Sequence, residues 1–350
     1  MPARTLQISL KAWFSVMVEG LSLIVIIIIV LALLFDFTNG WNDSANAIAT
    51  VVGTRVLKPY QAVLLAAVLN LVGAFAFTAV AKMISKGIVN PDSITLLVVV
   101  SLLIASIIWN IIMTMVGMPI SASHSLIGAM VGASVSYGGF DVLVSGGLIK
   151  VLIGLLVSPV LGALFAFVIM KILQLIAGNL SPSKVKRSFN ILQLLSVSFM
   201  AFSHGASDAQ KAMGIIMLAL VAGNVGGLTM ESDIPFWVIT SCGLAIALGT
   251  AIGGKKVIAT MGTKLTKLES IHGFAAETAA AIILTGVAKI GLPVSSTHTI
   301  TGSIIGVGLS NRVNSVRWNV AGKIVYAWVL TLPGTAIMAF LIYQLLQFLE

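Results

Sequence analysis

An apolar run near the start of the chain is interrupted by Phe37-Thr38-Asn39-Gly40-Trp41-Asn42-Asp43-Ser44-Ala45-Asn46-Ala47, which places amides and a carboxylate among residues suited to hydrocarbon. The pattern recurs 165 residues later as Phe202-Ser203-His204-Gly205-Ala206-Ser207-Asp208-Ala209-Gln210-Lys211-Ala212, with Phe, Gly, Asp and Ala in register. The duplication predicts two structurally equivalent halves.

Composition places the chain in a lipid bilayer. Hydrophobic residues make up 58% and charged residues 9% of its 350 residues, and the mean hydropathy is +1.09. Soluble domains carry about 25% charged residues, so we predict an all-α polytopic membrane protein. The net charge of +9 arises in short loops between apolar runs, which favours topology signals over nucleic-acid binding. A single cysteine, Cys242, excludes a disulfide framework and a cysteine-based metal site.

A second duplicated element supports the repeat. Gly117-Met118-Pro119-Ile120-Ser121-Ala122-Ser123-His124-Ser125 recurs 174 residues later as Gly291-Leu292-Pro293-Val294-Ser295-Ser296-Thr297-His298-Thr299. Short apolar segments follow each polar or Gly/Pro interruption, a pattern of broken helices and re-entrant hairpins. We therefore predict an inverted-topology repeat with these parts: a first repeat 1–180 with a broken helix 13–53 and a re-entrant hairpin 94–137, and a second repeat 181–350 with a broken helix 189–222 and a re-entrant hairpin 272–309.

The basic residues of the loops predict an orientation. If both hairpins are re-entrant, each half crosses the membrane three times and the second half is inverted relative to the first. Eleven basic loop residues then share one side and five lie on the other. The positive-inside rule assigns the first side to the cytoplasm. We predict a multi-pass protein of the cell inner (plasma) membrane with both termini outside.

Five ionisable residues lie within apolar segments: Asp36, Asp43, Asp208, Lys211 and Glu277. An unpaired charge at membrane depth costs at least ~2.5 kcal/mol, so such residues are functional candidates by default. The alternative is a structural ion pair that only holds helices together, and the three-residue spacing of Asp208 and Lys211 fits one. We favour function for Asp43 and Asp208 and leave both roles open for Asp36 and Glu277.

The two Gly-x-Pro segments predict an anion site. Pro119 and Pro293 stop one helix, and the next helix begins near His124 or His298 with unpaired N–H groups and the positive end of its dipole. Hydroxyl groups two residues apart add donors on one side of each tip: Ser121, Ser123, Ser295 and Thr297. Each serine or threonine could instead only cap its helix. The two histidines are either packing residues or supporting ligands.

At these motifs the chain resembles the inorganic phosphate transporter (Pit) family of secondary carriers, of the bacterial low-affinity permease type. The family's Gly-x-Asn-Asp-x-x-Asn-(Ala/Ser) signature appears as Gly40 to Ala47 and, with departures, as Gly205 to Ala212. Each half also carries the family's Pro-x-Ser-x-(Ser/Thr)-His tip, and the resemblance covers nearly the whole chain.

The resemblance implies a substrate and a coupling ion. Phosphate would bind between the tips, on Ser121, Ser123, Ser295 and Thr297. The coupling cation would be held by Asp43 and Asp208 with Asn42, Asn46 and Ser207 nearby; the two aspartates would ligate a metal only if the ion is Na⁺. Ser207 and Lys211 depart from the sodium-coupled pattern of two asparagines. Because the ammonium of Lys211 can occupy the volume of a bound Na⁺, we favour H⁺ coupling, with possible transport of a metal–phosphate complex.

Three alternatives remain in the same architecture: Na⁺-coupled phosphate symport, a sulfate permease, and an uncoupled phosphate channel or exporter. HPO₄²⁻ can donate its O–H to a buried carboxylate and SO₄²⁻ cannot, which favours phosphate. The serines lack a Gly-x-Ser-x-Gly elbow and an acid–base partner, so an enzyme is not expected. We expect no cofactor beyond the coupling cation and contact with the lipid bilayer, and we leave a homodimer open as an alternative to a monomer.

Overall fold

The computed structural model describes residues 22–89 and 94–349, and within these ranges the regular structure is helical. Most helices are long and apolar because hydrocarbon leaves each segment to satisfy its own backbone groups. The twelve helices of this part of the chain are α1 Leu23–Gly53, α2 Pro59–Gly73, α3 Ala79–Lys86, α4 Leu96–Val116, α5 Ala122–Gly138, α6 Ser145–Ala177, α7 Pro182–Ala222, α8 Phe236–Ile252, α9 Lys255–Ala259, α10 Ser270–Ile290, α11 Ser296–Asn311 and α12 Trp318–Leu349.

Several of these helices can cross a bilayer. Five are long and apolar enough by length and composition: α1, α4, α6, α10 and α12. A sixth crossing is formed if α8 and the segment Lys255–Lys264, which meet at 66°, are counted together. The all-helical, multi-pass prediction is confirmed. The inversion of the halves and the re-entrant course of the hairpins stay predictions.

The broken helices are a correction. In the described residues, the predicted segment 13–53 is the uninterrupted helix α1, and 189–222 lies within the uninterrupted helix α7; residues 13–21 lie outside the described part. The polar residues do not break these helices because the stretch from Asp36 to Val51 is almost entirely buried against protein. A helix satisfies its own backbone groups, so polar side chains there need partners in neighbouring helices rather than a break.

Glycines in the duplicated motif allow close helix packing instead of a break. A Cβ atom at Gly40 would collide with the backbone carbonyl of Ile246 on α8, and a Cβ atom at Gly205 would collide with that of Asn70 on α2. Gly40 and Gly205 occupy equivalent positions of the two motifs. The first half of the chain is thus packed against the second half by corresponding contacts.

The two predicted hairpins are helix–turn–helix units. α4 ends at Gly117 and α10 ends at Gly291, which adopt left-handed φ angles of 82° and 77°. Such angles favour glycine and end a helix without strain. In each case the tip is followed within five residues by a new helix, α5 or α11. These units carry the Pro-x-Ser motifs into the interior, where they meet α1 and α7.

Candidate functional site

Asp43 and Asp208 lie together at the start of α11. Both carboxylates are buried, on α1 and α7 respectively. The Ser296 hydroxyl lies 2.9 Å from Asp208 Oδ2 and 3.4 Å from Asp43 Oδ2, and Thr297 Oγ1 lies 3.1 Å from Asp43 Oδ1. A hydroxyl group has one proton to donate, so Ser296 can donate a hydrogen bond to only one of the two aspartates at a time. The structure thus brings together the two aspartates of the duplicated motifs.

Lys211 contributes an ammonium group to the site. Its Nζ atom donates to Asp208 Oδ2 over 2.8 Å, and its side chain is only 2% exposed. The two residues are three apart on α7, so one helical face carries both. The ammonium of Lys211 thus lies directly on one carboxylate oxygen of Asp208.

His204 is a member of this cluster that the sequence analysis missed. Its Nε2 atom lies 3.5 Å from Asp208 Oδ2 and 4.0 Å from Asp43 Oδ2. Its Nδ1 atom lies 3.1 Å from Oδ1 of Asn70, whose amide nitrogen donates to Thr250. Since Asn70 Oδ1 can only accept, Nδ1 carries a proton. Nε2 therefore faces two carboxylates and can hold either a proton or a cation between them.

Asn42 and Asn46 use their amide nitrogens to bind the hairpins. Asn42 Nδ2 donates to Thr114 Oγ1 over 2.8 Å, and Asn46 Nδ2 donates to Thr297 Oγ1 over 2.9 Å. Their Oδ1 atoms, with Asp208 Oδ1 and His204 Nε2, are buried acceptors with no hydrogen-bond donor within the described residues. Buried acceptors of this kind suit a positively charged guest.

The two hairpin tips bind each other through equivalent contacts. Ser123 Oγ donates to the carbonyl of Val294 over 2.8 Å, and Thr297 Oγ1 lies 2.7 Å from the carbonyl of Ile120. Thr297 follows Ser123 by the same 174 residues that separate Val294 from Ile120. The predicted tip–tip meeting is therefore present, with the tips closed on one another.

Ser121 and Ser295 cap the helices that follow them. Each Oγ atom accepts a hydrogen bond of 3.1 Å, from the backbone N–H of His124 or His298. Both serines therefore cap the helices that follow them. The cap uses only a lone pair of the hydroxyl oxygen, so the hydroxyl proton is still available for another acceptor. Both helix N-termini remain directed into the closed tips.

His124 and His298 form an aromatic stack with Trp328 of α12. The two imidazole rings are 4.4 Å apart, and the His298 ring lies 3.7 Å from the ring of Trp328. Trp328 Nε1 donates to the carbonyl of Pro119 over 3.1 Å. The histidines therefore pack behind the tips, and Trp328 touches both tips at once.

Glu277 belongs to a separate polar cluster. Its fully buried carboxylate accepts hydrogen bonds from Thr50 Oγ1 at 2.5 Å and Gln193 Nε2 at 2.9 Å, and a further bond from Ser196. These neutral donors join α1, α7 and α10. The cluster thus links these three helices through the Glu277 carboxylate.

Asp36 lies deep in the protein, two turns before Asp43 on α1. It is fully buried, and neither of its carboxyl oxygens has a hydrogen-bond partner within the described residues. Ser207, the remaining predicted coupling residue, is also buried beside Asp208 on α7. Asp36 therefore makes no direct bond to the tips in the described part of the chain.

Ser296 and His204 could have been found by comparing the halves. His204 occupies the position of Asn39, and Ser296 occupies that of Ala122. At these positions the second copy carries histidine where the first has asparagine, and serine where the first has alanine. The duplication points to residues that the two copies share, and it therefore does not single out these two residues.

The sequence was compared with known families and proteins. A model of the phosphate transporter family matches residues 39–339, which include both duplicated motifs. The chain belongs to the phosphate transporter family. The resemblance drawn from the motifs is thereby confirmed, and the protein is a transporter rather than an enzyme.

Related phosphate transporters cover almost the whole chain. A probable low-affinity inorganic phosphate transporter of Bacillus subtilis is 43% identical over 329 residues, or 93% of this chain and 98% of the relative. One of Rhizobium meliloti is 45% identical over 318 residues, or 90% and 94%. A solved structure described as the sodium-dependent phosphate transporter aligns with a TM-score of 0.87 and 27% identity, covering 94% of this chain and 100% of that one.

Proposed function

We propose that this transporter imports inorganic phosphate by cation symport, with H⁺ as the favoured coupling ion. The observation that carries the proposal is the ion pair of Lys211 with Asp208, 2.8 Å long and buried beside Asp43. Two buried carboxylates with one ammonium leave an excess negative charge. A single further positive charge balances it, and a proton is small enough to enter the closed cluster.

The position of His204 supports a proton as that charge. Its Nε2 atom faces both carboxylates, and its other nitrogen is engaged with Asn70. A proton shared among Asp43, His204 and Asp208 would replace a repulsive contact between lone pairs by a charge-assisted hydrogen bond. The proton would then leave with phosphate when the tips separate.

Phosphate is proposed to bind where the tips meet. The N-termini of α5 and α11 and the hydroxyls of Ser121, Ser123, Ser295 and Thr297 supply neutral donors. Ser123 and Thr297 now contact carbonyl groups of the opposite tip, so phosphate would take over these donors as the tips part. Asp43, next to Thr297, would accept the O–H of HPO₄²⁻, which sulfate lacks.

Two observations favour other cations, Na⁺ or a divalent metal, at this site. The solved relative is described as sodium-dependent, and the buried amide oxygens of Asn42 and Asn46 suit Na⁺ with Asp43 and Asp208 as ligands. Separately, ligand atoms of Asp43, His204 and Asp208 lie within 4.8 Å of one another. Two carboxylates and an imidazole suit a divalent metal that travels with phosphate as cargo.

Uptake of labelled phosphate into proteoliposomes tests the assignment. Proton, sodium and magnesium gradients are varied separately, and sulfate is added as a competitor. We expect accumulation that a protonophore abolishes and equimolar sulfate leaves largely intact. Complete inhibition by equimolar sulfate would overturn the phosphate assignment, and uptake that only equilibrates would indicate a channel.

A further inference from the structure

A deep apolar groove runs between the two long helices α6 and α12. Its volume is about 750 Å³, and its lining contains aliphatic, proline and aromatic side chains with only two histidines as polar members. Leu156 and Val160 form one rim and Val329 the other, with exposed fractions of 72%, 64% and 67%. The groove is therefore continuous with the apolar surface that faces the bilayer.

Two prolines shape the groove at its middle. Pro159 lies near the midpoint of the 33-residue α6, and Pro333 lies near that of the 32-residue α12. They are 174 residues apart, like the two hairpin motifs. A proline has no N–H to donate four residues back, so the Leu155 carbonyl has no donor at position 159. The Ser158 hydroxyl donates to this oxygen over 3.3 Å, and His298 Nδ1 lies 3.4 Å from it.

The floor of the groove is the rear face of the tips. Trp328, His298 and His124 line it, and Trp328 connects the Pro119 carbonyl of one tip to the His298 ring of the other. Only 8% of the Trp328 side chain is exposed. A molecule in the groove would lie behind the aromatic stack, on the side opposite Asp43 and Asp208.

We propose that an acyl chain of a membrane lipid occupies this groove. The groove lies at the midpoints of two membrane-spanning helices, and at that depth of a bilayer about 30 Å thick the surrounding molecules are hydrocarbon chains. A lipid headgroup is disfavoured because none of the described residues that line the groove is a lysine, an arginine or an acidic residue. The open rim lets a chain enter sideways from the bilayer.

The occupied groove favours closed tips. The chain fills space behind Trp328 and holds its ring against His298, so it interacts best with the arrangement in which Trp328 touches both tips. A ligand that binds one conformation better than another shifts the population toward it. The bilayer thus acts on the transport cycle through a contact remote from the phosphate and cation site.

Photo-crosslinking of the full-length protein in liposomes tests the proposal. The probe is a phosphatidylcholine with a diazirine at the end of one acyl chain, and mass spectrometry locates the labelled peptides. We expect the groove segments 155–163 and 325–333 to be labelled several-fold more than Val168 and Ile337, which are exposed on the same two helices off the groove. Val160→Trp, which fills the groove, should remove that excess, whereas Val168→Trp should preserve it.

Val329→Trp on the opposite wall provides a second filling variant, with the unfolding temperature in detergent as the check of folding. Equal labelling of the groove and the control positions would overturn the proposal. Groove labelling that remains unchanged in both Val160→Trp and Val329→Trp would also overturn the proposal. Protein–protein crosslinks through Val160 or Val329, when these positions carry a photoreactive residue, would instead identify a second copy as the occupant and also contradict it.

Discussion

Lys211 Nζ lies 2.8 Å from Asp208 Oδ2, and the pair is buried beside Asp43. Asn46 stands at the equivalent position of the first motif, where it donates to Ser296 and Thr297 instead. The duplicated backbone therefore carries a fixed cation in one half and a neutral amide in the other. This difference makes the two halves chemically unequal at the point where we propose that the coupling ion binds.

Replacement of Lys211 should change the ion requirement. Lys211→Asn removes the ammonium and supplies an amide oxygen, so Asp208 would need a cation from solution, and phosphate uptake should become stimulated by sodium. Lys211→Met, which removes the charge without a ligand oxygen, should not gain this response. Uptake in sodium and in choline buffers measures the effect.

Lys82→Asn is the matched control for that series. Lys82 pairs with Asp233 over 3.0 Å, but the Asp233 side chain is 97% exposed. Loss of such a surface pair changes little, so the sodium response should remain that of the parent protein. An unchanged sodium response in Lys211→Asn would reject the role of Lys211 as a substitute for a bound cation.

The two aspartates should both be required, with unequal effects on stability. Asp43→Asn and Asp208→Asn should each abolish coupled uptake, whereas Asp141→Asn on the exposed surface should not. Asp208→Asn also leaves the Lys211 ammonium buried without its carboxylate, a change that costs about 3–5 kcal/mol.

Removal of the whole ion pair separates these two effects. Asp208→Asn with Lys211→Met should recover the unfolding temperature and leave uptake absent. Unfolding temperatures in detergent and phosphate uptake are measured for each variant. Normal accumulation in both single aspartate variants would mean that the carboxylates are structural.

Ser296 should be important for phosphate uptake, although the first tip has no serine at the equivalent position. Ser296→Ala removes the donor that lies between Asp208 Oδ2 and Asp43 Oδ2. A hydrogen bond to a charged group contributes roughly 1.5–3 kcal/mol, so uptake should fall about tenfold or more. Ser303→Ala removes a buried hydroxyl of the same helix that bonds to a backbone carbonyl; a loss of equal size there would point to general damage to α11.

Glu277 should stabilise the junction of α1, α7 and α10. Glu277→Leu leaves Thr50, Gln193 and Ser196 without their common acceptor. Each buried donor that is left unpaired costs about 1–3 kcal/mol, so the unfolding temperature should drop clearly. Asp141→Leu, at an exposed position, is the control. Equal unfolding temperatures for the two variants would contradict the structural role.

The sequence predicted the hairpins better than the broken helices. Gly117 and Gly291 are direct signals for a helix end, because a left-handed φ favours glycine, and both hairpins have the predicted tips. The broken helices were predicted from polar residues that interrupt an apolar run, but these residues lie within continuous helices. Gly40 and Gly205 in these segments allow neighbouring backbones to approach α1 and α7 closely, and no local pattern distinguishes a glycine that ends a helix from one that packs it.

The candidate site was predicted in its duplicated part only. Asp43 and Asp208 stand at matching positions and meet in space through Ser296 and Thr297. His204 depends on Asn70, a residue 134 positions away that no motif contains. Such a contact follows from how α2 packs against α7, which residue spacing along the chain does not encode.

Simultaneous measurement of proton and phosphate entry tests the central claim most directly. Liposomes that contain the transporter and an internal pH dye are given phosphate in sodium-free buffer, with dye signal and labelled phosphate recorded together. We predict internal acidification that begins with phosphate addition, is proportional to uptake, and is absent in Asp43→Asn. Phosphate accumulation that is absent in this buffer, is restored by added sodium and proceeds without acidification beyond that of empty liposomes would contradict proton coupling.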